Sequence, residues 1–370
     1  MVAFDIATKV VADTQKIWAL HPGRGKKFYG IFFENRKVFL EIPGFFPDPQ
    51  TFDSTEAIRQ HLRMSDAVLE YYRKGETVPT KNAATYDSAV GDKSFSSAVG
   101  NVETLYKEAS PGDLILVPGR GHYAPVLIGE ITSKFNVRDS IVHPSYPGHE
   151  IPVRKVRWLS TNIPKRQLDG EVAKRLENRH AICEIYRKLY GKHVFPVAYR
   201  SYVEGGKSKA EFLGSQYSGK DLLETYSSAL LLKYFVASYN AVNIDDVGDL
   251  RNLSIQQTID KYYDQNLIDD FTQDFQSPGR FVLYGATATI GIFLMLGVAV
   301  ATSDATVQEI LNNLNIVNSE APPNDAVTNG FQDQFQYLMN SLGEERLNEI
   351  QQLGQKAAGD IGLDSGVKER

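Results

Sequence analysis

Along the first half of the chain, apolar residues come in short runs separated by turn residues. Lys16-Ile17-Trp18-Ala19-Leu20 is one such run, closed by Pro22-Gly23-Arg24-Gly25, and Phe28 to Phe33 and Lys37 to Ile42 read as two more strands. Ser54 is placed to cap a helix from Thr55 to about Tyr72, where Ile58, His61, Leu62, Ala67 and Leu69 recur at roughly helical spacing. Residues 74–100 are rich in Gly, Ser, Thr, Asn and Lys and read largely as loop, with a short helix over Val102 to Lys107. Leu114 to Pro118 then predicts a buried strand, Gly119-Arg120-Gly121 a turn, and Ala124 to Ile131 the partner strand. Ile151 to Leu159 predicts a third strand that interleaves Val153, Val156 and Trp158 with Arg154, Lys155 and Arg157. A helix after Ile163-Pro164 places Leu168, Val172, Leu176 and Ile182 on one face. Short strands with few helices predict a small, partly open β-barrel ending near residue 195.

The second half changes period. From Ser218 to about Gln276, Leu222, Leu223, Tyr226, Leu230, Leu231 and Tyr234 form a wide apolar stripe, and Leu253 to Leu267 adds a second amphipathic segment. Phe281 to Thr302 follows, with no charged residue, Asn or Gln between Arg280 and Asp304. As one helix it would be long enough to cross a hydrocarbon core of about 30 Å. The competing reading is a fully buried helix, which is also apolar all round. Lys261 and Arg280 on the N-terminal side favour a cytoplasmic N-terminus if the segment spans a membrane. Gly285/Thr289 and Gly297/Ala301 put small residues four apart, a spacing that lets helices approach closely. Beyond it, Val307, Ile310, Leu311 and Leu314 line one amphipathic helix. After a break at Ala321-Pro322-Pro323, Phe331, Phe335, Leu338, Met339, Leu342, Leu347, Ile350 and Leu353 line another, interrupted by Gly343.

Composition narrows the class. The 370 residues, 42% hydrophobic and 23% charged, exclude wholesale disorder and allow a sizeable core. Cys183 is the only cysteine, which excludes an intrachain disulfide and a cysteine zinc cluster and suits a reducing compartment. The net charge of −5 is unevenly spread: residues 304–370 carry 4 Lys+Arg against 11 Asp+Glu, and 1–303 carry 36 against 34. The chain as a whole lacks the basic surplus of a dedicated nucleic-acid binder. Met1 to Gln15 mixes Asp5, Lys9 and Asp13 among apolar residues, so no signal peptide is read there.

Catalytic motifs are not found. Gly214 to Asp221 nearly matches a phosphate-binding loop, but Asp221 puts a carboxylate where a hydroxyl must meet magnesium. No His pair has helical metal-ligand spacing, and no Ser lies in a GxSxG turn. His143 and His149 flank Tyr146-Pro147-Gly148 in a polar loop, and Cys183 sits in an apolar setting that suits an inert thiol. Gly23-Arg24-Gly25 and Gly119-Arg120-Gly121 read as hairpin turns with an exposed Arg, not as dinucleotide fingerprints.

Several pieces taken in order carry a resemblance. They are Ile17-Trp18 with its Gly-rich turn, Val38 to Gly44, Gly112 to Pro118, Ile128-Gly129-Glu130-Ile131, and Val153 to Leu159 followed by Ile163-Pro164. This order resembles the PUA-like and EVE-like domains of Mrr-type modification-dependent restriction proteins, over roughly residues 14–190. No nuclease domain follows, and the stretch 74–108 departs from that pattern as a long insert. The resemblance implies a cleft that holds a modified base or a nucleotide. Trp18, Tyr29 and Trp158 are then candidates to stack a base, with Arg24, Arg120, Arg154 and Arg157 to meet phosphate and His122 beside them. The alternative is that both tryptophans are core and the arginines a solvated strand face.

The expected layout is therefore α+β: a PUA/EVE-like sensor barrel over 1–195, a helical connector over 196–280, a transmembrane helix over 281–303, and an acidic helical tail over 304–370. The expected function is a membrane-anchored, non-enzymatic sensor of nucleic acid or nucleotide, in antiviral defence by analogy, with its N-terminal domain in the cytoplasm and no cofactor. Homo-oligomers would form through the helical C-terminal part. The rival is a soluble cytoplasmic scaffold with 281–302 as a buried core helix, and a third reading is an enzyme assembled from His122, Arg157 and Glu130.

Overall fold

The first strand pairs with residues more than three hundred positions away. In the computed structural model, which describes residues 2–75, 77–86, 93–121, 123–178, 180–220, 223–274, 278–321 and 326–370, β1 (Val2–Asp5) runs parallel to 314–317 and β2 (Lys9–Val10) runs parallel to 202–203. The chain divides into two units accordingly. A split unit joins residues 1–13 to 199–370, and an inner unit comprises 14–198. Residues 1–13 were expected with the sensor barrel, but their backbone hydrogen bonds are made with the C-terminal part.

The chain is mixed α+β with a curled, half-barrel sheet, and the inner unit is built on a six-stranded sheet. Its strands are β3 (Ile17–Leu20), β4 (Lys37–Val38), β5 (Leu114–Pro118), β6 (Pro125–Ile131), β9 (Arg154–Pro164) and β10 (Ile182–Glu184), in the order β10-β3-β5-β6-β9-β4. A separate hairpin pairs β7 (Ser140–Val142) with β8 (Glu150–Pro152). Register shifts between β6 and β9 near Val126 to Gly129 bend the sheet where it curls. Five helices flank it: α1 (Tyr29–Asn35), α2 (Thr55–Lys74), α3 (Lys93–Glu103), α4 (Gly170–Arg175) and α5 (Arg187–Ala198). Ser54 caps α2 by accepting from the Ala57 amide, and the buried face is Ile58, Leu62, Met64, Ser65 and Val68. Phe28, Phe32 and Phe39 meet with ring centroids 4.8–6.4 Å apart and join Val117, Leu127 and Val156 in the core.

Several local expectations change here. Lys93 to Glu103, expected largely as loop, is helix α3, and the single strand expected over Ile151 to Leu159 is divided between β8 and β9, which pair with different partners. Phe28 to Phe33 is helix α1, not a strand, because its aromatic residues pack at helical spacing with Phe32 inward. Of Lys37 to Ile42 only Lys37–Val38 is strand. Ile182 lies on β10 rather than on the helix after Pro164.

The split unit holds β11 (Tyr202–Glu204), β12 (Lys207–Gly214), β13 (Ile268–Asp274) and β14 (Gly279–Gly285). With β2 they run in the order β13-β14-β12-β11-β2, and a sixth strand of this sheet pairs with β12 off that path. β15 (Leu314–Val317) and β17 (Lys368–Glu369) flank β1, and β16 (Leu363–Asp364) pairs with β12. The helices are α6 (Tyr226–Asn243), α7 (Ile255–Tyr262), α8 (Ile290–Thr302), α9 (Val307–Asn313) and α10 (Ala326–Ile361), the last broken at Gly343. The stretches expected as connector, membrane segment and tail thus form one unit with one core. Leu222, expected on the first stripe, and the break at Pro322-Pro323 lie outside the described residues.

Residues 281–302, expected as a membrane-crossing helix, are a strand, a turn and a short helix. Phe281 to Tyr284 form ladders with β12 on one side and β13 on the other. A Cβ on Gly285 would lie 2.1 Å from Ile290, so the chain turns where only glycine fits. Thr287 and Thr289 hydroxyls both bond the Tyr239 hydroxyl, at 2.7 and 2.8 Å. Only the 13 residues of α8 are helical, which at about 1.5 Å each reach about 20 Å, short of a hydrocarbon core of about 30 Å. No helix among the described residues is long and apolar enough to cross a membrane. α8 is apolar all round because every residue from Ile290 to Ala301 is buried among other elements of its own unit. Gly297 lies against the Phe235 ring of α6, and Ala301 lies against Gly354 of α10. The small residues do allow close helix approach, within this chain.

A candidate anion-binding cleft

The charge of the chain divides along the two units. The inner unit carries 27 Lys+Arg against 20 Asp+Glu, a net +7, and the split unit carries 13 against 25, a net −12. The near-neutral balance of residues 1–303 therefore hides a basic domain.

Within the inner unit, a cleft of about 710 Å³ opens between two glycine turns and the helices α2 and α3. That is within the usual range for small-ligand sites, roughly 300–1,000 Å³. The first turn is built from Gly23 to Lys26. Gly23 and Gly25 have φ of 72° and 68°, and a Cβ on Gly23 would meet the Phe28 ring at 2.6 Å. Lys26 shares the left-handed backbone at φ 64°, a conformation that costs a non-glycine residue energy. The second turn, Gly119 to Gly121, carries Arg120 into the lining. Leu40, Ile42, Leu62, Ala98 and Val102 supply an apolar floor. Glu41, which also lines the cleft, is engaged by Lys27 and Tyr146.

At one end the cations gather. Lys26 Nζ lies 2.6 Å from His21 Nδ1. An ammonium can only donate, so the imidazole accepts at Nδ1 and carries its hydrogen on Nε2. Burial, with the charges of Lys26 and Lys165, pulls His21 down to about 4, so the ring is neutral at pH 7. The Asn178 backbone pulls the other way without reaching hydrogen-bond geometry at the buried Nε2, which has no partner among the described residues. Burial and then the Lys165 charge bring Lys26 down to about 8. Lys165 is itself buried, with its ammonium 3.9 Å from Glu177. Arg24 and Arg120 are exposed and have no carboxylate partner among the described residues.

Of the eight residues singled out in the sequence, the cleft takes Arg24 and Arg120. Trp18 is buried and donates to Asp113 at 3.0 Å, so it is core. Trp158 donates to the Phe32 and Phe33 carbonyls and stacks over Gly129, also away from the lining. Tyr29 bonds the Pro125 carbonyl and supports the second turn from behind. Arg154, expected on a phosphate-facing strand surface, is fully buried. It donates to the carbonyls of Leu105, Ala109 and Ser133 at 2.8, 2.8 and 2.9 Å and closes the turn after α3. Arg157 is paired with Glu130 at 2.7 Å. His122 lies outside the described residues. An aromatic cage of Trp18, Tyr29 and Trp158 is therefore not formed, because each ring is committed to packing.

His21, Lys26 and Lys165 were not singled out. For the first two, the density of basic groups in His21-Pro22-Gly23-Arg24-Gly25-Lys26-Lys27 was a usable signal. Lys165 follows Ile163-Pro164 with no local mark of a site. Elsewhere, the near-match to a phosphate loop is occupied by the chain itself: the Glu224 carboxylate accepts from the amides of Ser218 and Gly219, both at 3.1 Å. Its final position, Asp221, lies outside the described residues. Burial pushes the Cys183 thiol up, away from thiolate character. No group of His, Cys, Asp or Glu among the described residues is arranged to hold a metal ion. In comparisons with known proteins, no family model, no curated protein and no solved structure matches the chain.

Proposed function

We propose that the inner unit is a non-catalytic reader that holds a phosphate-bearing ligand, a nucleotide or a nucleotide of a nucleic-acid strand, in this cleft. The observation that carries the reading is the convergence of Arg24, Lys26, Arg120 and Lys165 beside an apolar floor in a unit of net charge +7. A base packs on Leu40, Leu62 and Val102 while the cations meet phosphate, and the amides of Asn101 and Asn178 are in the lining to pair with base edges. The reading agrees with the resemblance to PUA-like and EVE-like domains, with apolar side chains in place of an aromatic cage. A membrane span has no part in it, since 281–302 is a strand and a short buried helix.

The test is titration of the full chain with adenosine 5′-monophosphate and with a labelled short single-stranded oligonucleotide at low salt. Replacing both Arg24 and Arg120 by alanine should weaken binding roughly tenfold or more and flatten its salt dependence. R157A, which alters a pair outside the cleft, should leave binding unchanged. No binding of either probe, or equal binding by the double variant, would sink the reading.

A further inference from the structure

The arrangement of charge at the closed end of the cleft narrows the ligand further, on the premise that the cleft binds phosphate. Lys165 acts on Lys26, both act on His21, and Glu177, at 3.9 Å from Lys165, is the carboxylate paired with them among the described residues, Glu41 being engaged by Lys27 and Tyr146. Beside them His21 is neutral and accepts from Lys26 at Nδ1, with its Nε2 N–H buried against the Asn178 backbone. An internal phosphodiester of a strand brings one negative charge shared over two non-bridging acceptor oxygens. A terminal phosphomonoester brings a charge of about −1.5 to −2 at pH 7 and three acceptor oxygens. Two ammonium groups, offset in part by Glu177, suit the doubly charged monoester better than the singly charged diester. The Lys26 ammonium donates to His21 Nδ1 at 2.6 Å, which holds it at this end of the cleft.

We propose that the cleft selects a phosphomonoester dianion, the terminal phosphate of a mononucleotide or of a strand end, over an internal phosphodiester, with Lys26 and Lys165 as its receiving groups and His21 holding the Lys26 ammonium in place. Arg24 and Arg120, exposed at the two turns, then meet whatever extends outward from that phosphate.

The experiment compares four probes on the full chain at pH 7.5: adenosine 5′-monophosphate, its methyl ester, and one short oligonucleotide with a 5′-phosphate or a 5′-hydroxyl. The monophosphate should bind at least tenfold more tightly than its methyl ester. If strand ends are the source, the phosphorylated oligonucleotide should show the same advantage over the hydroxyl form. If free nucleotides are the source, only the mononucleotide pair should differ. Lys165→Met, which keeps the buried stem and removes the charge, should abolish the preference, whereas Lys165→Arg should retain it. A methyl ester that binds as well as the monophosphate, with no difference between the oligonucleotides, overturns the inference and leaves the phosphate reading standing. Failure of all four probes to bind overturns both.

Discussion

In the inner unit, glycines at 23, 25 and 121 stand in left-handed backbone and hold two turns open around a cleft. In the split unit, glycines at 285, 297 and 354 lie where another element leaves no room for a Cβ. Charge follows the same division, +7 against −12. The first three glycines serve access to a cleft and the second three serve closeness between elements. The difference shows why a single feature such as an uncharged, glycine-containing run has no fixed meaning until its neighbours are known.

The largest expected effect breaks the inner unit through Arg154. Its guanidinium donates to three carbonyls, buried at Leu105 and Ala109 and part-buried at Ser133, and each buried acceptor left without a donor costs about 1–3 kcal/mol. Arg154→Met should therefore destabilise the inner unit by about 3–5 kcal/mol, allowing for some rehydration. Both tryptophans of the chain, Trp18 and Trp158, belong to this unit, so denaturation followed by tryptophan fluorescence reads it directly. An unchanged midpoint would mean that the sheet edge, not this side chain, holds the turn after α3.

A pair of glycines sharpens the comparison from the other side. A Cβ on Gly354 would lie 2.2 Å from the Ala301 carbonyl oxygen, whereas Gly359, on the same helix, has nothing within 4 Å. Gly→Ala gains about 1 kcal/mol of helix propensity at either place. At 354 that gain is outweighed by overpacking against backbone, which typically costs about 1–3 kcal/mol and more where nothing can yield. Gly354→Ala should destabilise the split unit by about 2 kcal/mol net, and Gly359→Ala should stabilise it by about 0.5–1 kcal/mol. Circular dichroism melts of the two variants check this. Equal effects at the two positions would show that α8 and α10 are not in the close contact described.

What the sequence made legible follows from how local each cause was. Ser54 and the apolar stripe after it gave α2, because capping and period act within a few residues. Leu114 to Pro118 and Ala124 to Ile131 gave β5 and β6 for the same reason. The run at 281–302 was misread because both a span and a buried segment lack charge. What separates them is Phe235 and Ala301–Gly354 packing, set by residues far along the chain. Within the site, Arg24 and Arg120 were legible because glycine turns advertise exposure. Arg154 looked the same on its strand, but its partners at 105, 109 and 133 come from other elements. Lys165 joins His21 only through the closing of the sheet.

The smallest effect tests whether the closed end of the cleft is as tightly set as its charges imply. His21 is held down to about 4 in the folded chain against an ordinary value near 6.5. Between those values the unfolded chain binds a proton that the folded one does not, so stability falls as pH is lowered from about 6.5 towards 4. Lys26, down at about 8, gives the same sign higher up: the folded chain again binds fewer protons, and stability rises with pH from about 8 towards its ordinary value near 10.5. His21→Gln keeps an acceptor for Lys26 and cannot titrate, so it should flatten the acid slope and leave the alkaline one. Tryptophan-monitored denaturation at pH 7 and pH 5 reads the first, and at pH 8 and pH 9.5 the second. Lys165→Met should soften both slopes, because its charge presses on both groups. A Lys165→Met variant that altered only one slope would mean that His21 and Lys26 do not share the environment on which the phosphate-receiving end depends.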